Sequence, residues 1–198
     1  SDMLRDLWGK LAYRYASNPR VHYGITNEPH DIPAGTWYDC AQKCINAIRS
    51  VGGKGTIFMP GCNWTGAGSW MTSNAQYWNL TDPLNKLQVQ LHLYLDANGG
   101  GGTTDVVSPT IGVERLKDAV TWARQKGLKL FLGEVGLSAA TPNGKPAWDN
   151  LHTFMLANQD VCSGYSFWAC GPASWWGQYQ FYCGVVSPQM TMIQSALK

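Results

Sequence analysis

From residue 21 onward, short apolar runs of strand type alternate with longer stretches whose apolar residues recur at helical spacing. Strands separated by helices cannot be joined by tight hairpins, so this alternation predicts a parallel sheet wrapped by helices, an α/β fold. Strand character falls at 21–27, 55–60, 87–95, 128–135 and 165–169. Between the first two runs, 37–51 places Cys40, Cys44, Ile45 and Ile48 on one helix face, with Thr36 as N-cap and Gly52 and Gly53 as the stop. Residues 113–125 repeat the pattern through Val113, Leu116, Val120 and Ala123, and Gly127 follows the end. Weaker helical periods cover 148–158 and 190–197, and a further helix is expected over 4–15, ending before Asn18 and Pro19. The glycine-rich run 97–104 cannot pack a core and is expected to be a mobile loop bordering a cleft.

The strand at 87–95 indicates where chemistry should sit. Val89, Leu91, Leu93 and Leu95 share one face, and Gln88, Gln90, His92 and Tyr94 share the other. In a helix-wrapped barrel the apolar face meets the helices, the polar face turns inward, and the C-terminal strand ends feed the active site. His92 and Tyr94 should therefore point at it. Asn27, Glu28 and Pro29 close the first strand, and the proline ends its pairing so that Glu28 projects from the tip. Glu134 is placed likewise after Leu130 and Leu132. Two carboxyls at strand ends can converge across a barrel mouth, one to protonate a glycosidic oxygen and one to attack. Taken alone, a strand-end glutamate is usually a solvated loop residue and a strand histidine usually a satisfied core residue; each gains its weight from the others.

Composition narrows the ligand. At 198 residues the chain suits one domain, 1–198. A net charge of +2 gives no field for nucleic acid or an acidic membrane surface, and no run reaches the roughly 18 apolar residues of a membrane span. Charged residues make up 14% and aromatics 12%, a balance that favours a neutral ring-shaped ligand such as a sugar. Ten tryptophans exceed what a core of this size needs. Trp64, just after the second strand, is the best candidate for an exposed sugar platform, and Trp175 and Trp176 could extend it; Trp70, Trp78, Trp122 and Trp148 read as packing. The six cysteines lack zinc-site spacing and suggest disulfides in a secreted protein, although Cys40 and Cys44 also fit as two small buried groups on one helix face. Arg5 and Asp6 break up the apolar stretch a signal peptide would need, so the chain reads as a mature form. No cofactor or metal is expected: the glycines at 99–102 lack the lysine and helix start of a phosphate loop.

Four segments carry a family resemblance. Tyr23-Gly24-Ile25-Thr26-Asn27-Glu28-Pro29-His30-Asp31 resembles the acid/base motif of glycoside hydrolase family 5. His92-Leu93-Tyr94-Leu95-Asp96 resembles its histidine and tyrosine strand, Leu132-Gly133-Glu134-Val135-Gly136 its nucleophile strand, and Phe167-Trp168-Ala169 its last strand with a sugar-stacking tryptophan. The resemblance runs from about Trp8 to the C-terminus, in the flavour of secreted fungal endoglucanases. It implies a retaining endo-β-1,4-glucanase acting on cellulose or a β-glucan oligosaccharide, with Glu28 as acid/base and Glu134 as nucleophile. Asn27 would hold the sugar 2-hydroxyl, His92 would touch substrate near the acid/base, Tyr94 would hydrogen-bond the nucleophile, and Trp168 would floor the cleaved sugar. A β-mannanase, a β-1,3-glucanase and a glycan-binding remnant are the alternatives.

The family places its acid/base strand fourth of eight, whereas here it arrives within the first thirty residues. The fold implied is a partial (β/α)8 TIM barrel, about the last five strands with their helices, without an arginine and a histidine that earlier strands supply. Open sheet edges then predict self-association into a homo-oligomer, and the lost orienting groups predict weak turnover. The nucleophile should stay ionised while the proton donor is raised by its neighbour.

Overall fold

The computed structural model describes residues 2–103, 105–170 and 187–196. In chain order the elements are α1 (Asp2–Tyr15), β1 (Tyr23–Gly24), α2 (Ala34–Ser50), β2 (Ile57–Pro60), a 3-10 turn (Ala67–Ser69) running into α3 (Trp70–Ser73), and β3 (Leu87–Tyr94). There follow α4 (Ile111–Lys126), β4 (Lys129–Gly136), α5 (Gly144–Ala157), β5 (Cys162–Phe167) and α6 (Pro188–Ser195). The strands form one parallel sheet in the order β1-β2-β3-β4-β5. Each strand is laid beside its predecessor after a helical crossover, the partial-barrel arrangement expected from the sequence.

The apolar side of the sheet is covered in two patches. Val89, Leu91, Leu93 and Leu95 of the β3 segment pack with Leu116, Val120 and Trp122 of α4 and with Trp148 and Leu151 of α5, so the parity read from the sequence holds. Around β1 and β2, Ile25, Ile57 and Met59 pack with Tyr38, Ile45 and Ile48 of α2. Trp70, Trp122 and Trp148 are buried and Trp78 is partly so, as expected of packing residues. The opposite, concave face carries Phe58 and Phe131, with ring centroids 4.8 Å apart, and His22 against Phe58. A buried fork ties the other end of the sheet: Arg49 meets both oxygens of Asp82 at 2.7 and 2.9 Å and also donates to the Gly53 and Gly55 carbonyls. Burial works to raise the Asp82 carboxyl, but the bonds from Arg49 and from the Lys86 and Leu84 amides overcome it and hold the group below its ordinary value.

Several expectations need correction. The helix α2 begins at Ala34 with Pro33 as its N-cap, not with Thr36; Pro33 sits at φ −58° with no N–H to satisfy, and the capping side chain is dispensed with. Only Tyr23 and Gly24 ladder in the first strand, because beyond Ile25 the chain turns out toward the cleft. The last strand starts earlier than expected, at Cys162, and the short helix α3 was not foreseen. Cys40, Cys44, Cys62 and Cys162 carry thiols, against the expectation of disulfides, while Cys170 is disulfide-bonded and Cys183 lies outside the described residues. Burial first, then the neighbouring Cys40, pushes the Cys44 thiol up to about 12, so these two act as the small buried groups of the second reading.

Candidate active site

Alternation along β4 puts Leu130 and Leu132 against the helices, and would send residue 134 the same way. A register shift prevents this. Leu91 pairs with Leu132 but His92 pairs with Glu134, so Gly133 is left over and the side-chain parity of β4 reverses at that point. The bulge turns Glu134 onto the face of His92 and Tyr94. A Cβ at residue 133 would stand 2.8 Å from Gln90 Cγ, which explains why glycine occupies the bulge.

The polar groups then form one connected set. Tyr94 donates its hydroxyl to Glu134 Oε2 at 2.6 Å. His92 Nδ1 lies 2.6 Å from Glu28 Oε1 and 3.3 Å from Glu134 Oε2, while its Nε2 lies 3.2 Å from Gln90 Nε2. With the Gln90 amide assigned so that its nitrogen faces Nε2, that ring nitrogen accepts and the neutral imidazole carries its proton on Nδ1, between the two carboxyls. One oxygen of Glu28, one of Glu134 and one nitrogen of His92 all lie within 4.8 Å of one another. These three side chains are also the group among the described residues that could hold a metal ion, but the His92 nitrogen that faces the carboxyls, Nδ1, already lies at hydrogen-bond distance from Glu28. Two carboxyls at this spacing suit direct attack by one of them, since holding a water between them takes about 6.5 Å or more.

Burial divides the pair. The Glu134 side chain is 9% exposed and that of Glu28 21%. Burial pushes the Glu134 carboxyl above its ordinary value; the Tyr94 hydroxyl and His92 pull it down, and the Glu28 carboxylate adds to the rise. The sequence expectation assigned a raised value to the donor and not to the nucleophile. It overlooked that Glu134 lies deeper, behind His92 and Tyr94.

A cleft of about 650 Å³ is lined by Glu28, His92 and Tyr94 at its floor, and Glu134 lies outside that lining, in contact with His92 and Tyr94. One wall is Trp64, 51% exposed and the exposed tryptophan among the described residues. Asn63, Trp64 and Thr65 all adopt positive φ, 56°, 59° and 49°. Three successive left-handed residues without a glycine cost about 1 kcal/mol or more each and must be held from outside. Asn63 donates to Ser69 and Ser73, Thr65 Oγ1 donates to the Gln90 carbonyl and accepts from the Gly61 amide, and the Thr65 carbonyl accepts the His92 amide. The indole itself stacks on His30, with centroids 3.7 Å apart and planes 7° from parallel, and His30 Nδ1 bonds Asp31 at 2.7 Å.

The facing wall comes from Asn98, Gly99, Gly100 and Arg115, so the glycine run does border the cleft. It is anchored to Asp96 rather than loose: the Gly101 and Thr103 amides donate to the Asp96 carboxylate. Glu28, His92, Tyr94 and Glu134 thus come together, with Trp64 beside them. Asn27 is exposed next to Glu28 and outside the cleft lining. Trp168 is half-buried after β5, its amide donating to the Val135 carbonyl, and is also outside that lining. Trp175 and Trp176 lie outside the described residues. Sequence reasoning missed Gln90, Asp96 and Arg115 as site residues; Gln90 shares the parity of His92 and was within reach, whereas nothing on a helix surface marks Arg115.

Known proteins resemble this chain in sequence and in fold. Residues 1–171 match the model of the family described as cellulase (glycosyl hydrolase family 5). The probable endo-beta-1,4-glucanase B of Aspergillus niger is 37% identical over 174 residues, covering 88% of this chain and 52% of that protein. An endo-beta-1,4-glucanase of Xanthomonas axonopodis pv. citri superposes with a TM-score of 0.91 at 36% identity, over 98% of this chain and 64% of the other. An endoglucanase of Pseudomonas stutzeri, solved in complex with cellobiose, superposes with a TM-score of 0.87 at 33% identity, over 98% of this chain and 60% of the other. The chain spans about half the length of the curated relatives it matches.

Proposed function

The chain belongs to glycosyl hydrolase family 5, and from that footing we propose that it hydrolyses internal β-1,4-glucosidic bonds of cellulose or its oligosaccharides with retention of configuration. Glu134 attacks the anomeric carbon while Glu28 gives its proton to the departing glycosidic oxygen, leaving a covalent glycosyl-enzyme. Glu28, now a base, takes a proton from water; the hydroxide adds to the anomeric carbon and frees Glu134. His92 occupies Glu28 Oε1, so Oε2 carries the travelling proton. Tyr94 counters the burial that would protonate the nucleophile. Trp64 offers its indole to the C–H face of a glucosyl unit, Asn27 holds the 2-hydroxyl at the mouth, and Trp168 floors the cleaved unit.

The observation that carries this reading is the separation of at most 4.8 Å between oxygens of Glu28 and Glu134. Proton NMR of cellohexaose digestion tests it: the first product released is expected to be the β-anomer, and an α-anomer would refute the double displacement. Carboxymethylcellulose is expected to be cut faster than mannan or laminarin, the reverse order overturning the glucan assignment. Binding of cellohexaose without release of reducing ends would favour a glycan-binding role. A polymer of this kind does not cross membranes, so the same reading places the protein outside the cell; none of the described helices is long and apolar enough to cross one.

Self-association follows from the sheet. Among the described residues β1 and β5 each pair on one side only, and Phe58 and Phe131 on the concave face are only partly buried. The 198-residue chain is expected to run as a dimer in light scattering at micromolar concentration, and a monomer there would count against it.

A further inference from the structure

Tyr94 is held from outside its own strand. Arg115, half-buried near the start of α4, donates from its guanidinium to the carbonyls of Tyr94, Asp96 and Ala97 at 2.5, 2.7 and 3.1 Å. Tyr94 is the last residue of β3 to pair with β4, Asp96 and Ala97 lie past the strand end, and one planar fork reaches all three carbonyls. Asp96, itself buried, accepts the amides of Gly101 at 3.1 Å and Thr103 at 3.4 Å, folding the glycine run back over the strand end. Gly101 lands at φ 73° against the tyrosine ring, where a Cβ would stand 2.7 Å from Tyr94 Cδ1. Gly136 of β4 crowds the same ring edge at Cε1. The ring is wedged with its hydroxyl on Glu134.

We propose that Arg115 and Asp96, acting through Gly101, are positioning residues that aim the Tyr94 hydroxyl at Glu134. The proposal rests on Glu134 being the group whose ionisation matters, hence on the hydrolytic reading, but its test does not need turnover. Among the described residues, the titratable groups facing Glu134 are Glu28 from the loop after β1 and His92 and Tyr94 from β3. An aimed O–H favours the carboxylate, so a loosened Tyr94 must let the Glu134 midpoint rise.

The experiment is a titration of the Glu134 side-chain carboxyl by its carbon-13 shift in the whole chain, with the resonance assigned by Glu134→Gln. Tyr94→Phe is expected to raise the midpoint. Arg115→Lys should raise it in the same direction, because one ammonium cannot span three carbonyls, and Gly101→Ala should do so by displacing the ring. The Arg115→Lys, Tyr94→Phe double variant should rise no further than Tyr94→Phe alone. Wild-type midpoints in both Arg115→Lys and Gly101→Ala, or strictly additive shifts in the double variant, overturn the proposal. Asp96→Asn probes the same link should Arg115→Lys fold poorly, and an unmoved midpoint there also counts against it. On cellohexaose, Arg115→Lys should lose about tenfold in kcat with little change in KM, as misaimed groups do. A chain that turns over no glycan, yet whose midpoints move as stated, refutes the proposed function and supports the positioning role.

Discussion

Glu134→Gln is expected to lower glucan hydrolysis by about 10⁴-fold or more, because on the proposed mechanism it removes the nucleophile and no described side chain stands ready to replace it at the anomeric carbon. The measurement is reducing-end release from cellohexaose, and a variant within a hundredfold of wild type would remove Glu134 from that role. The same substitution should act on stability in the opposite sense. Burial raises the Glu134 carboxyl, so the folded chain prefers its protonated form. The stability this contributes is fully present below the ordinary carboxylate value and is lost as pH rises through the raised one. A neutral glutamine escapes that loss. Glu134→Gln should therefore melt a few degrees above wild type at pH 7, with the gap closing toward pH 4; a gap that widens on acidification would contradict the assigned direction.

Glu28→Ala is expected to cost about 10²- to 10⁴-fold on cellohexaose, the usual contribution of a positioned acid and base. The loss should depend on the leaving group. An aryl cellobioside with an acidic phenol needs little protonation to depart, so its kcat/KM, which reports glycosyl-enzyme formation, should stay within about tenfold of wild type. Its kcat should still fall, since the second step lacks a base to activate water, and KM should fall with it as the intermediate accumulates. Equal losses on both substrates would take the proton-donor role away from Glu28.

The parity of 87–95 was legible because burial of Val89, Leu91 and Leu93 is a property of the strand itself. It placed His92 and Tyr94 correctly with no neighbour in view. Glu134 is different. Counting from Leu130 and Leu132, alternation sends it into the helical layer, whereas its place near the strand end and the motif resemblance pointed it the other way. The reason is the bulge at Gly133, a property of two strands in register rather than of either alone. Arg115 was illegible for a similar reason. On α4 it occupies an ordinary surface position, and its role exists only because the glycine run returns to the strand end beneath it. Thr36 misled in a simpler way: the helix starts two residues before it, at Ala34, with Pro33 in the cap position and no side-chain cap. Trp64 was correctly singled out as exposed, but the left-handed backbone that presents it has no glycine to announce it.

That backbone has one further consequence. The carbonyl of Thr65 holds the amide of His92, and the threonine hydroxyl grips the carbonyl of Gln90, the residue whose side-chain amide faces the imidazole Nε2. The ring that would grip a sugar and the proton shared between the carboxyls are therefore joined through a few covalent and hydrogen bonds. A substitution that reseats the indole is therefore expected to disturb the imidazole as well, since the same strained turn carries the Trp64 ring and the two bonds to β3.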